Sequence, residues 1–293
     1  MGKTIEVWDI AERRLTRSLN GPNGSVREVL VDPSGRYLAA QVLDTDPPEL
    51  IDAPPALVDG SPPLVNAPQA MSPPKYISEF FLWDLSTGAV VSSEKATGSD
   101  DAPVDSIRLL AFHPSGDRLI RCRQQHAFSD GSDVLQTTAA LEVMETSSGK
   151  ILRRDEVPCT VDRACFAHGG TVLYYAAKFD FTEPGQQQGI WVWNLATDRR
   201  TRLHSQPVAS LAISPDESRL MFMSGIQSEV NQSLVLIETE THQKVFEMPV
   251  SRNAGNFAFT SDGGIVRYST GASVERLLSE RGPAHDGESG SLH

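Results

Sequence analysis

Cysteine is scarce in this sequence. Cys122, Cys159 and Cys165 are the only three in 293 residues, an odd number without the C-x-x-C spacing of a zinc or redox site. Cys122 and Cys165 fall inside alternating strand-like patterns, where a free thiol behaves as a small hydrophobe, which suits a reducing compartment. Long apolar runs are lacking too, and no stretch approaches the ~20 residues of a membrane span. Met1–Glu6 carries no apolar signal region, and Glu6 stands where a myristoylation signal has Ser or Thr. Positive charge is in deficit. The net charge of −12 argues against a general nucleic-acid surface or an anionic membrane as partner. The densest basic stretch, Arg199-Arg200-Thr201-Arg202, reads as a solvated rim. The expectation is a soluble cytoplasmic protein.

Catalytic signatures are lacking as well. Gly2-Lys3-Thr4 has neither the preceding glycines nor the strand of a phosphate-binding loop. Gly287-Glu288-Ser289-Gly290-Ser291 lacks the final glycine of a nucleophile elbow. The seven histidines show no H-x-x-x-H or H-E-x-x-H spacing, and His113 and His168 fall in turns, where a polar side chain satisfies the backbone. No catalytic residue, metal site or cofactor is expected.

What is present is repetition. An alternating strand, a turn and a second strand recur at Val29–Leu38, Leu110–Leu119, Ala164–Leu173, Leu211–Leu220 and Phe257–Val266. We term these strands a and b. A second strand pair, c and d, recurs at Ile5–Ile10, Phe81–Gly88, Leu141–Gly149, Val192–Leu195 and Val235–Thr239. β-Branched and aromatic residues such as those of Ile190-Trp191-Val192-Trp193 fit a pleated surface. Asp32-Pro33-Ser34-Gly35, His113-Pro114-Ser115-Gly116 and Ser214-Pro215-Asp216-Glu217 are turn chemistry.

With Trp8-Asp9 and Trp83-Asp84 ending strand c, and with these a–b turns, the chain resembles the WD40-type β-propeller repeat family. YVTN-type and TolB-type propellers are looser relatives of the same pattern. Met144-Glu145, Trp193-Asn194 and Ile237-Glu238 are degenerate forms of the Trp-Asp pair. No Gly-His dipeptide precedes strand a, so the family's Trp–Ser/Thr–His–Asp network is not carried over. The resemblance implies an all-β propeller of four-stranded antiparallel blades over 1–281, followed by a disordered polar tail at 282–293. Two strands at the start, sixteen in the middle and two at the end amount to about five blades. The leading c and d would close the ring by completing the blade begun by the last a and b. Alternatively, the chain is part of a larger propeller.

The a–b and c–d turns are short, whereas the b–c connections at Asp44–Tyr76, Gln124–Thr138, Phe179–Gly189 and Gly225–Gln232 are long. Elaborated loops on a rigid scaffold are where binding concentrates. The Pro-rich insertion at 44–76 favours polyproline II and reads as a cover or a disordered segment. Phe128, Phe179 and Phe181, with Asp130 and Glu183, are the candidate contact residues for a protein partner, because exposed aromatics anchor interfaces. The expected function is a non-catalytic protein–protein interaction scaffold. Alternatives from other classes are a propeller hydrolase or lactonase with a metal held by loop acids such as Asp130, Asp133, Asp180 and Glu183, and the regulatory segment of a larger protein.

Overall fold

The computed structural model describes residues 4–21, 24–45, 76–96, 104–128, 135–157, 159–177, 188–225, 232–250, 256–261, 263–268 and 274–278. These residues are almost all strand or tight turn, and the fold is a β-propeller built of successive antiparallel sheets. Among the described residues there are four sheets of four strands, one of two and one of three. No helix is long and apolar enough to cross a membrane. The strands group into two units, Met1–Thr160 and Val161–His293.

In the first unit β1 (Thr4–Asp9) pairs with β2 (Arg14–Asn20). β3 (Ser25–Val31), β4 (Tyr37–Thr45), β5 (Tyr76–Asp84) and β6 (Ala89–Ala96) follow as one blade. β7 (Val104–Phe112), β8 (Arg118–Phe128), β9 (Leu135–Glu145) and β10 (Ile151–Val157) form the next. Alternation gives the blade β3–β6 two apolar faces. Tyr37, Ala39, Phe80 and Leu82 pack with Ile107, Leu109 and Leu119 of the following blade. Leu38, Ala40 and Trp83 pack with Leu19, Ile5 and Val7 of the β1–β2 pair.

In the second unit β11 (Val161–Ala167), β12 (Val172–Ala177), β13 (Gly189–Asn194) and β14 (Arg199–His204) form one blade. β15 (Val208–Ile213), β16 (Arg219–Ser224), β17 (Gln232–Glu238) and β18 (Lys244–Val250) form another. β19 (Asn256–Phe259) and β20 (Ile265–Tyr268) are joined by β21 (Val274–Leu278). The sequence count of twenty strands therefore misses β21. Its pairing of Ile265 with Leu278 and Tyr268 with Val274 gives β20 a local neighbour on the edge that ring closure assigns to β1.

The strand-c signature has a physical basis that repeats in every c–d pair. Its last residue, acid or amide, accepts a hydrogen bond from the turn that follows. Asp9 Oδ1 accepts from Glu12 N at 3.0 Å, and Asp84 Oδ1 from Ser86 N at 2.8 Å. Asn194 Oδ1 accepts from Ala196 N and Thr197 N at 3.1 and 2.9 Å. Glu145 and Glu238, one methylene longer, reach hydroxyls instead, those of Ser148 at 2.5 Å and Thr241 at 2.8 Å. The degenerate forms keep the chemistry of the motif. The residue before the acceptor lies opposite a leucine of strand b. Trp83 faces Leu38, Met144 faces Leu119, Trp193 faces Leu173 and Ile237 faces Leu220.

Candidate functional site

The fifth member of that set departs from the others. Trp83, Met144, Trp193 and Ile237 are at most 5% exposed, but Trp8 is 54% exposed. β1 has β2 on one side and, among the described residues, no strand on the other, so no strand-b leucine lies across from Trp8, and the leucine it does pair with, Leu15 of β2, leaves it open to water. Its indole Nε1 instead donates to Glu6 Oε2 at 3.0 Å, along its own strand. Ile10 and Leu15 beside it are exposed too. Val29 and Val31 are exposed on β3, and their partners Ala40 and Leu38 place them on the blade face against which β1 and β2 pack. Six of the nine exposed large apolar side chains of the described residues, Val26 included, thus fall on β1–β3 and the turn after β1. Such clustering on a water-facing surface marks an interaction site.

A second feature of this unit is ionic. Arg121, almost wholly buried, donates from Nε to Glu142 Oε2 at 2.8 Å and from Nη2 to Glu94 Oε2 at 2.5 Å. Its guanidinium also lies 4.8 Å above the Phe80 ring. Arg123 pairs with Glu94 and with Glu142, and Arg154 reaches Glu142 at 3.4 Å. Burial pulls the Arg121 pKa down, against the pull of Glu142. A recess of about 410 Å³ opens beside this network, lined by Arg123, Gln125, Thr138, Ala140, Arg154 and Glu156 among others.

In the second unit a groove of about 340 Å³ runs beside Leu203, His204, Gln206, Phe222, Ser224 and Val235. His204 Nε2 and Ser224 Oγ are 2.9 Å apart, and Ser224 Oγ donates to Gln206 Oε1 at 3.0 Å. A serine hydroxyl has one proton. With that proton on Gln206, His204 Nε2 is the donor to Ser224 and not a base acting on it. Burial holds the His204 pKa below its ordinary value, which keeps the ring neutral. The pair ties β14 to the next blade. His204 stands in a His-Ser-Gln-Pro segment before strand a, where the sequence has no Gly-His dipeptide. Tyr174 does similar work: its hydroxyl donates to Thr239 O at 3.0 Å, meets His242 Nε2 at 3.1 Å, and is pushed up to about 12 by burial.

The residues singled out from sequence fall as follows. Asp130, Phe179, Phe181 and Glu183, like Asp133 and Asp180, lie outside the described residues, as do the stretch 46–75 and the tail. Phe128 is the last residue of β8, its backbone paired with Leu135, so it belongs to a strand and not to the b–c loop. Strands β8 and β9 run further than their polar composition suggested, their backbones pairing from Gln124 and Ala139 out to Phe128 and Leu135. Arg200 stacks over Trp193 at 4.2 Å, and Arg202 donates to the carbonyls of Gln188 and Ser205 at 3.0 Å, so the basic stretch braces its own blade. His113 Nδ1 accepts from Ser115 N at 3.2 Å, the turn role expected of it. Among the described residues no three His, Cys, Asp or Glu side chains are grouped to hold a metal ion.

No protein-family model matches the chain, and no curated protein sequence does. Solved structures do. An oligogalacturonate lyase in complex with manganese aligns over 94% of this chain and 70% of its own, at 10% identity and a TM-score of 0.54. TolB from Acinetobacter baumannii aligns over 90% of this chain at 14% identity and a TM-score of 0.48, and the chain spans 53% of its length. A chain of the mitotic checkpoint complex aligns over 94% of this chain and 81% of its own, at 15% identity and a TM-score of 0.47. At such identities the likeness concerns fold alone. Enzymes and non-enzymes both occur among these neighbours.

Proposed function

We propose that the chain is a non-catalytic interaction module whose docking edge is β1, where a partner polypeptide adds an extended strand. The observation that supports this is the exposure of Trp8 where its four counterparts are buried against a leucine. An added strand presenting an aliphatic residue opposite Trp8 would reproduce the packing of the complete blades, and open strand edges recruit peptides in this way. The exposed Val29 and Val31 would lie under the incoming segment. A second contact, on the side of the long b–c connections, would use Phe128, Asp130, Phe179, Phe181 and Glu183. The free thiols at Cys122, Cys159 and Cys165 suit action in a reducing, cytoplasmic setting.

The test is a photo-crosslinking residue at Ile10, next to Trp8 and exposed. The expected result is an adduct with another polypeptide that is suppressed by excess unmodified protein but not by excess Trp8→Ser protein. A cross-link formed only within one chain, or equal suppression by both competitors, would overturn the reading.

A further inference from the structure

Strand β3 carries an apolar stripe that the open edge of β1 does not account for. Val26, Val29 and Val31 lie opposite Val42, Ala40 and Leu38 of β4, so they share the face on which β1 and β2 pack. They are 38%, 41% and 53% exposed. The second unit holds the same stripe in a finished setting. Val208, Leu211 and Ile213 of β15 lie opposite Ser224, Phe222 and Leu220, in the same register and with the same bulge after the first residue. None of these three is exposed. They pack with Cys165 and Ala167 of β11 and with Val172 and Tyr174 of β12, the a and b strands of the preceding blade. Ahead of β3 the described residues supply only strands c and d, which are β1 and β2. The stripe left bare on β3 is the one that an a–b pair covers on β15.

We infer that the partner at β1 presents a β-hairpin of a–b type and not a single strand, an inference that rests on the docking edge proposed above. Neighbouring strands lie about 4.8 Å apart. In the blade beneath, β3 stands two strands from β5, whose Trp83 packs with Ile5 and Val7 of β1. One strand added to β1 therefore reaches over β4, and only a second reaches the valines. β11 and β12 show the chemistry such a hairpin needs. Its inner strand carries Leu173 opposite Trp193 on one face, and Val172 and Tyr174 on the other. Its outer strand turns the small side chains of Cys165 and Ala167 to the following blade. The partner hairpin accordingly sets an aliphatic residue opposite Trp8 and small residues over Val29 and Val31. It comes from a different polypeptide. Among the described residues every a–b pair of this chain already has a third strand beside it, β5, β9, β13, β17 or β21, so a second copy has none to give.

The test appends such a hairpin to the intact chain. Residues 161–187, with Cys165→Ala, are placed ahead of Met1, so that β11, β12 and their own connection precede β1 as they precede β13. A second extension carries residues 172–187, the inner strand alone. Trp8 is read by acrylamide quenching, and Val29→Cys by its rate of thiol labelling above the background of Cys122, Cys159 and Cys165. Val31→Cys reads the same stripe should Val29→Cys fail to fold. Both extensions are expected to shield Trp8. The hairpin is expected to slow labelling at position 29 at least about tenfold, and the single strand less than about twofold. Equal labelling at position 29 with the two extensions, while both shield Trp8, would overturn the hairpin and leave the docking edge standing. Trp8 as accessible with either extension as without would sink both readings. Labelling at position 29 of the unextended protein that slows as protein concentration rises would overturn the assignment to a different polypeptide.

Discussion

Trp8-Asp9 and Trp83-Asp84 are the same dipeptide at the same strand position, in two environments. Trp83 is sealed between Leu38, Ala40 and Leu19 and stacks on Phe81 with ring centroids 5.2 Å apart. Trp8 faces solvent from a two-stranded sheet. Both aspartates still accept from the next turn. The acidic half of the motif acts within two or three residues of itself and works wherever the strand exists. The aromatic half acts across strands and works only where strand b is present. A motif can thus be locally intact and globally unfinished.

The contrast can be broken most forcefully at Trp83. Trp83→Ala should cost about 3–5 kcal/mol, as for other large core aromatics, whereas Trp8→Ala should cost under about 1 kcal/mol, both read from urea midpoints. A comparable loss at both positions would mean that Trp8 is covered in solution. A finer comparison uses the indole nitrogen. Trp193 Nε1 donates to Asp198 Oδ1 at 3.0 Å, while Trp83 Nε1 is buried without a partner. Trp193→Phe should therefore be more destabilising than Trp83→Phe by about 1 kcal/mol, the worth of one hydrogen bond.

The aspartates sharpen the comparison through pH. Hydrogen bonds from Ser86, with help from Arg36, hold the Asp84 pKa at about 2. An unfolded aspartate titrates at about 3.9. The folded state thus gains stability from Asp84 above about pH 4 and loses it as pH falls towards about 2. Acid unfolding of Asp84→Asn protein should be shallower than wild type in that window and parallel to it above. The smallest expected effect is spectroscopic: acrylamide should quench the Trp8→Phe protein less than wild type, since the most accessible of the four indoles is gone.

Much of this fold was legible in the chain. Alternation and Pro-Ser-Gly or Pro-Asp turns located strands a and b, and the acceptor at the end of strand c located c and d, because both signals act within a few residues. β21 was missed. Its Val274-Glu275-Arg276-Leu277-Leu278 has no such turn beside it and takes its identity from pairing with β20. The recess was missed for a related reason. Arg121, Arg123, Glu94, Glu142 and Arg154 stand on four strands, and only register brings them together. The available signal was the placement of arginines at alternate positions 121 and 123 of strand b, with a glutamate at the matching place in strand c. Exposure at Trp8 was not legible at all, since it depends on what lies beside β1 and not on β1.

The five strand-c acceptors carry a consequence for how such a chain diverges. Since Asp9, Asp84, Glu145, Asn194 and Glu238 each organise their own turn from within, every c–d hairpin holds its register without instruction from its neighbours. Copies can then be duplicated, lost or spaced apart by insertions such as the one at 44–76, and drift in their aromatic residues, while the hairpin survives each event. Asn194, the single amide among four acids, offers the same acceptor oxygen without the negative charge. Drift between acid and amide at this position would alter the surface charge of the lineage while leaving its hairpins in place.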